Sequence, residues 1–209
     1  IKDFYILGKT AVLTFNFVGL SHEAQFERGP KYSIFQELSI DMYNILVDHP
    51  LYYYRQLMDA PEDMRVFCID RQHLGFLRRY YPHLKNTAFL PLAGNPAPDP
   101  GNIIPIKERK IDICFPANYV TTDKIEAQMA KADPEYRELF RSVMDELISN
   151  THKPLDEAFE DAIFELFPKA PLGDVLEAMR GMLFIDLYVR SYFREKAVAT
   201  LLAAGIPVT

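Results

Sequence analysis

The sequence predicts an α/β fold: a parallel-sheet domain, a proline-rich linker, and a largely helical second unit. Three observations carry this. Short apolar runs of strand length alternate with helical patterns through the first ninety or so residues, and parallel neighbours need such crossovers. Three prolines and a glycine fall in the seven residues from Asn95 to Gly101, a composition that suits a semi-rigid linker and neither a helix nor a central strand. Beyond one further strand-like run at residues 111–115, the apolar residues recur at helical spacing almost to the end.

Taken in order, Ile1 to Leu7 followed by Gly8 reads as the end of a helix with its C-terminal glycine. Ala11 to Phe17 is β-branched and aromatic and predicts the first strand, with Asn16 at its carboxyl end and Gly19 in the loop. Gly29-Pro30 breaks the chain. Tyr32 to Ser39 is a short helical pattern leading into a second strand, Tyr43–Val47, which ends abruptly in Asp48-His49-Pro50. Val66–Ile69 predicts a third strand ending in Asp70, and Arg71 to Tyr81 a helix with Leu74, Leu77 and Tyr81 on one face, closed by Pro82. Thr87–Leu92 is the fourth strand. The expected division is residues 1–93 as the sheet domain, 94–108 as linker and 109–209 as the second unit.

In that second unit Ile111 to Phe115 predicts a fifth strand ending in the turn Pro116-Ala117-Asn118-Tyr119. Four helical stretches follow. One is capped by Thr121-Thr122-Asp123, and the next is opened by Asp133-Pro134, since aspartate caps and proline suits the first helical position. A third starts at Pro154, with Leu155, Phe159, Ile163 and Leu166-Phe167 on its face. The fourth starts at Pro171, with Val175, Met179, Met182-Leu183 and Leu187, and either continues or bends into residues 190–204. Gly205 stops it, and Ile206 to Thr209 opens another strand.

Composition excludes several functions. The net charge of −6 gives no basic field for nucleic acid; Arg78-Arg79 and Lys107 to Lys110 read as a solvated helix face and a linker. No apolar run approaches the roughly 20 residues that span a bilayer. Two cysteines, Cys68 and Cys114, each inside an apolar run, make neither a disulfide framework nor a zinc spacing, and read as buried free thiols in a reducing compartment. The expected location is cytoplasmic. No metal is expected, since His-Glu-x-x-His is missing and His22-Glu23 has nothing at ligand spacing beside it. Gly-x-Gly-x-x-Gly, the Walker sequence and Gly-x-Ser-x-Gly are missing too.

The chemistry-bearing residues sit at strand ends. Asp48 and His49 place a carboxylate and an imidazole where acid–base work or sugar-hydroxyl binding is done; the plainer account is a loop acid capping the next helix, with His49 orienting it. Asp70 is placed to cap its helix, and His73 lies one turn on, within its reach. Asn118 and Tyr119 follow the fifth strand. Arg190 and Arg194 share a helix face, open either to a diphosphate or to pairing with Asp186 and Glu195. The tyrosines at 52–54, with Tyr43 and Tyr32, can stack on a sugar ring or pack in the core.

The order of these features resembles a known family. A strand ending Phe15-Asn16-Phe17, one ending Asp48-His49-Pro50, a strand and helix with Asp70 and His73, a strand ending Leu90 to Ala93, a linker, then Arg109, Asp112, Ile113 and Phe115 opening a second unit: this is similar to the GT-B glycosyltransferases of the CgeB-like (spore maturation protein-like) group. The resemblance covers most of residues 11–119 and resumes near 190–209. It implies a Rossmann-like acceptor-side half and a donor-side half, transfer of a sugar from a nucleotide-sugar donor to an acceptor of unknown class, and no cofactor or metal. Asp48 or His49 is then the catalytic base, with Asn16, Asp70, His73, Asn118, Tyr119 and Arg194 as substrate-binding residues, Arg194 steadying the leaving diphosphate. Ala117 stands where the family often has glycine. The family's first strand with its glycine loop and its later acidic donor motif are expected before Ile1 and after Thr209, so this chain is expected to be a fragment lacking most of the donor site and inactive alone. The alternative is a non-catalytic interaction or regulatory module in which residues 121–204 dock a partner helix to helix.

Overall fold

The computed structural model describes residues 4–21, 23, 26–29, 32–94, 101, 103–111, 113–116, 118, 120–131 and 133–208. Tyr119, Asp112, Ala117, His22, Pro30 and linker residues 95–100 lie outside them.

Four strands form one parallel sheet: β1 (Ala11–Phe15), β4 (Asp41–Leu46), β5 (Arg65–Cys68) and β6 (Asn86–Phe89), in that spatial order. The register sets Thr14 beside Asn44, Asn44 beside Val66, and Val66 beside Thr87. Between β1 and β4 lie a small antiparallel pair, β2 (Glu27–Gly29) and β3 (Tyr32–Ser33), and the short helix α1 (Ile34–Glu37). A 3-10 turn, Pro50–Tyr53, runs into α2 (Tyr54–Asp59), and α3 (Arg71–Tyr80) joins β5 to β6. The chain is thus α/β, a Rossmann-like parallel sheet with a largely helical remainder.

The strand order advances in one direction, and right-handed crossovers then leave every connection on the same face. Burial follows. Thr14, Met42, Asn44, Leu46, Val66 and Cys68 on one face are buried, against Leu74, Phe76, Leu77 and Tyr80 of α3 and the fully buried Leu51 and Leu57. On the opposite face Leu13 is 61% and Phe15 50% exposed, and Tyr43 stacks half-buried on Phe67 at 6.4 Å. Only Ile45 is buried there.

The chain divides into two compact units: Ile1–Ala93 with Pro171–Arg180, and Gly94–Ala170 with Gly181–Thr209. The helix α7 (Leu172–Gly181) therefore packs mainly in the sheet unit, with the Arg180 guanidinium 5.6 Å over the Tyr54 ring. The second unit holds α4 (Asp123–Met129), α5 (Pro134–Ser149), α6 (Leu155–Leu166) and α8 (Phe184–Ala203). Val143, Met144 and Leu147 of α5 and Phe159 and Ile163 of α6 make its core.

Several expectations need correction. The described part of the expected N-terminal helix, from Phe4 on, is a turn: Gly8 has φ +70°, Lys9 N–H donates to the Ile6 carbonyl at 3.0 Å, and Tyr5 Oη donates to the Leu38 carbonyl. The fifth strand reduces, among the described residues, to a single parallel bridge, Ile113 to Val208. Ile111 and Cys114 are exposed beside that bridge, so Cys114 is not a buried thiol. Leu166, Phe167 and Leu187, expected on buried faces, are exposed.

Candidate functional site at the carboxyl edge of the sheet

The chain leaves β1 through two consecutive non-glycine residues in the left-handed region, Asn16 at φ 51° and Phe17 at φ 60°. Asparagine tolerates this conformation; a bulky aromatic there is a strained residue, at a cost of order 1–3 kcal/mol. The surroundings impose it. Asn16 N–H donates to the Ile45 carbonyl at 2.9 Å, and Phe17 N–H donates to the Oδ1 of Asn44 at 2.9 Å. Asn44 is fully buried, and its Nδ2 has no hydrogen-bond partner among the described residues. Phe17 is itself buried, 6.0 Å from the Tyr53 ring. Thr14 Oγ1 donates to the Val18 carbonyl, and the Glu23 carboxylate accepts from Gly19 N–H and Ser21 N–H, both at 2.8 Å. Phe17 and Gly19 also line a small pocket with Glu23, Phe35, Met42 and Met64.

This turn aims the Asn16 amide across to the end of β4. Its Oδ1 accepts from Val47 N–H at 2.9 Å and its Nδ2 donates to Asp48 Oδ2 at 3.0 Å. Tyr53 Oη donates to the same oxygen at 3.0 Å. Burial, reinforced by the hydrogen bond to Asp48 and its charge, pushes the Tyr53 phenol up to about 12, so it stays a donor. Asp48 is exposed, and its Oδ1 accepts no hydrogen bond among the described residues. The carboxylate is thus held by one oxygen and open at the other.

His49 has a different setting. It is buried, stands at the N-terminus of the 3-10 turn, and accepts from Leu51 N–H through Nδ1 at 3.2 Å. With Nδ1 accepting, a neutral ring carries its proton on Nε2. The ring meets His73 and Phe76 edge to face, both at 4.7 Å. Asp70 caps α3, its Oδ1 accepting from Gln72 N–H at 2.6 Å. Asn16, Asp48, His49, Asp70 and His73 therefore share one sheet edge, where Asn16 is hydrogen-bonded to Asp48 and the His49 ring meets that of His73. Tyr53, which completes that pair, was legible in the sequence only as one of several tyrosines; its spacing of five from Asp48 gains meaning once the 3-10 turn folds it back.

In the second unit Arg194 Nη1 donates to the Asn118 carbonyl at 3.0 Å. Beside it, Thr122 N–H and Oγ1 donate to the Glu195 carboxylate at 3.1 and 3.3 Å. Arg190 forms a two-point ion pair with Asp186, both bonds 2.8 Å. Among the described residues no cluster of His, Cys, Asp and Glu is placed to hold a metal, and no helix is long and apolar enough to cross a membrane. The Cys68 thiol is pushed up to about 12, first by burial and then by the Asp70 carboxylate, which removes it as a nucleophile near neutral pH.

In an open α/β sheet the carboxyl edge is where ligands sit, at the point where strand order reverses. The four described strands contain no reversal, so the site here owes its shape to the strained turn between β1 and β4 rather than to a switch point. No protein-family model, curated protein or solved structure matches this chain.

Proposed function

We propose that the carboxyl-edge site binds a hydroxyl-bearing acceptor and that the chain serves glycosyl transfer from a nucleotide sugar. The observation that carries this reading is the Asp48 carboxylate, fixed through Oδ2 by Asn16 and Tyr53 and open at Oδ1 on an exposed strand end. A carboxylate so held can accept the proton of an acceptor hydroxyl as the hydroxyl oxygen attacks the anomeric carbon and the bond from that carbon to the departing nucleoside diphosphate breaks. Asp48 is preferred over His49 as base because the His49 ring is buried and its Nδ1 already accepts the Leu51 N–H. Asn16 and Tyr53 act as positioning residues. The nucleotide-sugar donor and the role of Arg194 toward a diphosphate rest on the resemblance of the motif order alone.

Titration of the protein in its full-length form with nucleotide sugars and simple glycosides, followed by transfer assays on that form, tests this. Asp48→Asn keeps the Asn16 and Tyr53 geometry and removes the base; transfer is expected to fall about 100-fold or more. Undiminished transfer, or no transfer from any common nucleotide sugar, sinks the proposal. A second reading, a non-catalytic interaction module, is favoured by one observation. The sheet face bearing Leu13 and Phe15 is open, whereas parallel sheets ordinarily have both faces covered.

A further inference from the structure

In the helical unit, α4, α5 and α8 border a concavity lined by Glu126, Met129, Arg137, Arg141, Asp145 and Tyr188 among others. Met129 and Met144 are buried. Arg137 and Arg141 are one helical turn apart on α5, so both guanidinium groups serve the same wall. Neither guanidinium makes a hydrogen bond or ion pair with a described residue, and Arg137 Nε is buried with no partner among the described residues. A buried donor left unmet costs roughly 1–3 kcal/mol, and native structures rarely leave one so. The acidic side chains in the wall do not satisfy it: Glu126 instead accepts from Tyr188 Oη at 3.0 Å.

We propose that this concavity is a binding site for a small oxyanion, a phosphate or carboxylate group held between Arg137 and Arg141. Guanidinium is suited to the task, because its fixed fork of donors matches the paired oxygens of such groups. The carboxylates of Glu126 and Asp145 on the same wall narrow the class further. A ligand entering there carries hydroxyl or ammonium donors beside its anionic group, since a bare polyanion faces two like charges. The proposal is independent of the reading given to the sheet edge.

The test is calorimetric titration of the full chain with inorganic phosphate, acetate and glycerol phosphate, with the arginine Nε–H resonances followed by NMR. Saturable binding is expected, with the Arg137 Nε–H signal shifting and glycerol phosphate the tightest of the three. Arg137→Gln and Arg141→Gln are each expected to weaken binding about tenfold. Arg141 is exposed, so its replacement reports on binding even where Arg137→Gln perturbs packing. The phosphate and acetate arms tell which oxyanion the fork prefers. Absence of saturation with all three probes up to about 50 mM, or binding unaltered in Arg141→Gln, overturns the proposal.

Discussion

Asn16 is the residue on which the candidate site turns. It accepts from one backbone amide, donates to the Asp48 carboxylate, and takes up a left-handed conformation that most side chains resist. Asn16→Ala loses both hydrogen bonds and keeps the strain, so a loss of about 1–3 kcal/mol is expected, read as a lower midpoint in urea unfolding. Asn16→Gly relieves the backbone but not the hydrogen bonds and is expected to lie between alanine and the parent. At the next strand end Asp70 gives a sharper contrast. As a helix cap it is replaceable by Asn with little change, while Asp70→Ala costs about 1 kcal/mol. Equal losses for the two variants show that the charge itself matters there, and the capping account then fails.

At the scale of elements, the sheet is covered on one side only by the connections described. Leu13 and Phe15 stand on β1, an edge strand, and are exposed, so they contribute little to the fold. Leu13→Ser with Phe15→Ser is expected to leave the unfolding free energy within about 0.5 kcal/mol while reducing dye binding to exposed apolar surface and self-association in sedimentation. A loss of several kcal/mol places that face in a core and removes the support it lends to the interaction reading. The helical patterns were legible where proline and aspartate punctuate them, as at Pro134 and Pro154. They misled at Leu166, Phe167 and Leu187, because periodicity names a face of a helix without naming what, if anything, packs on it.

For the whole molecule, pH acts through tyrosines. Burial raises Tyr53 and Tyr188 to about 12 and Tyr81 further, with the carboxylates of Asp48 and Glu126 adding to the first two. An unfolded tyrosine titrates near 10. The native state therefore holds its protons longer, and the stability so contributed is full below pH 10 and is lost as pH rises from about 10 toward 12. Urea midpoints are expected to be level from pH 8 to 9.5 and to fall above pH 10. Tyr53→Phe is expected to flatten part of that fall. A midpoint unchanged to pH 11.5 counts against these settings.

Composition and local pattern determined, without help, that the chain is α/β, that four strands alternate with crossovers, that Asp48 and Asn16 stand at strand ends, and that Asp70 caps a helix. These are short-range consequences of strand and helix periodicity and of capping chemistry. Tertiary structure alone decided that Asn16 and Asp48 meet, since they are 32 residues apart and brought together only by the β1–β4 register. It also decided that Tyr53 joins them, that His49 turns inward among His73 and Phe76, and that α7 packs in the sheet unit. It left Cys114 exposed in a run that reads as a strand. Each of these depends on which distant surfaces the chain presents to one another, and a local pattern carries no record of its partner.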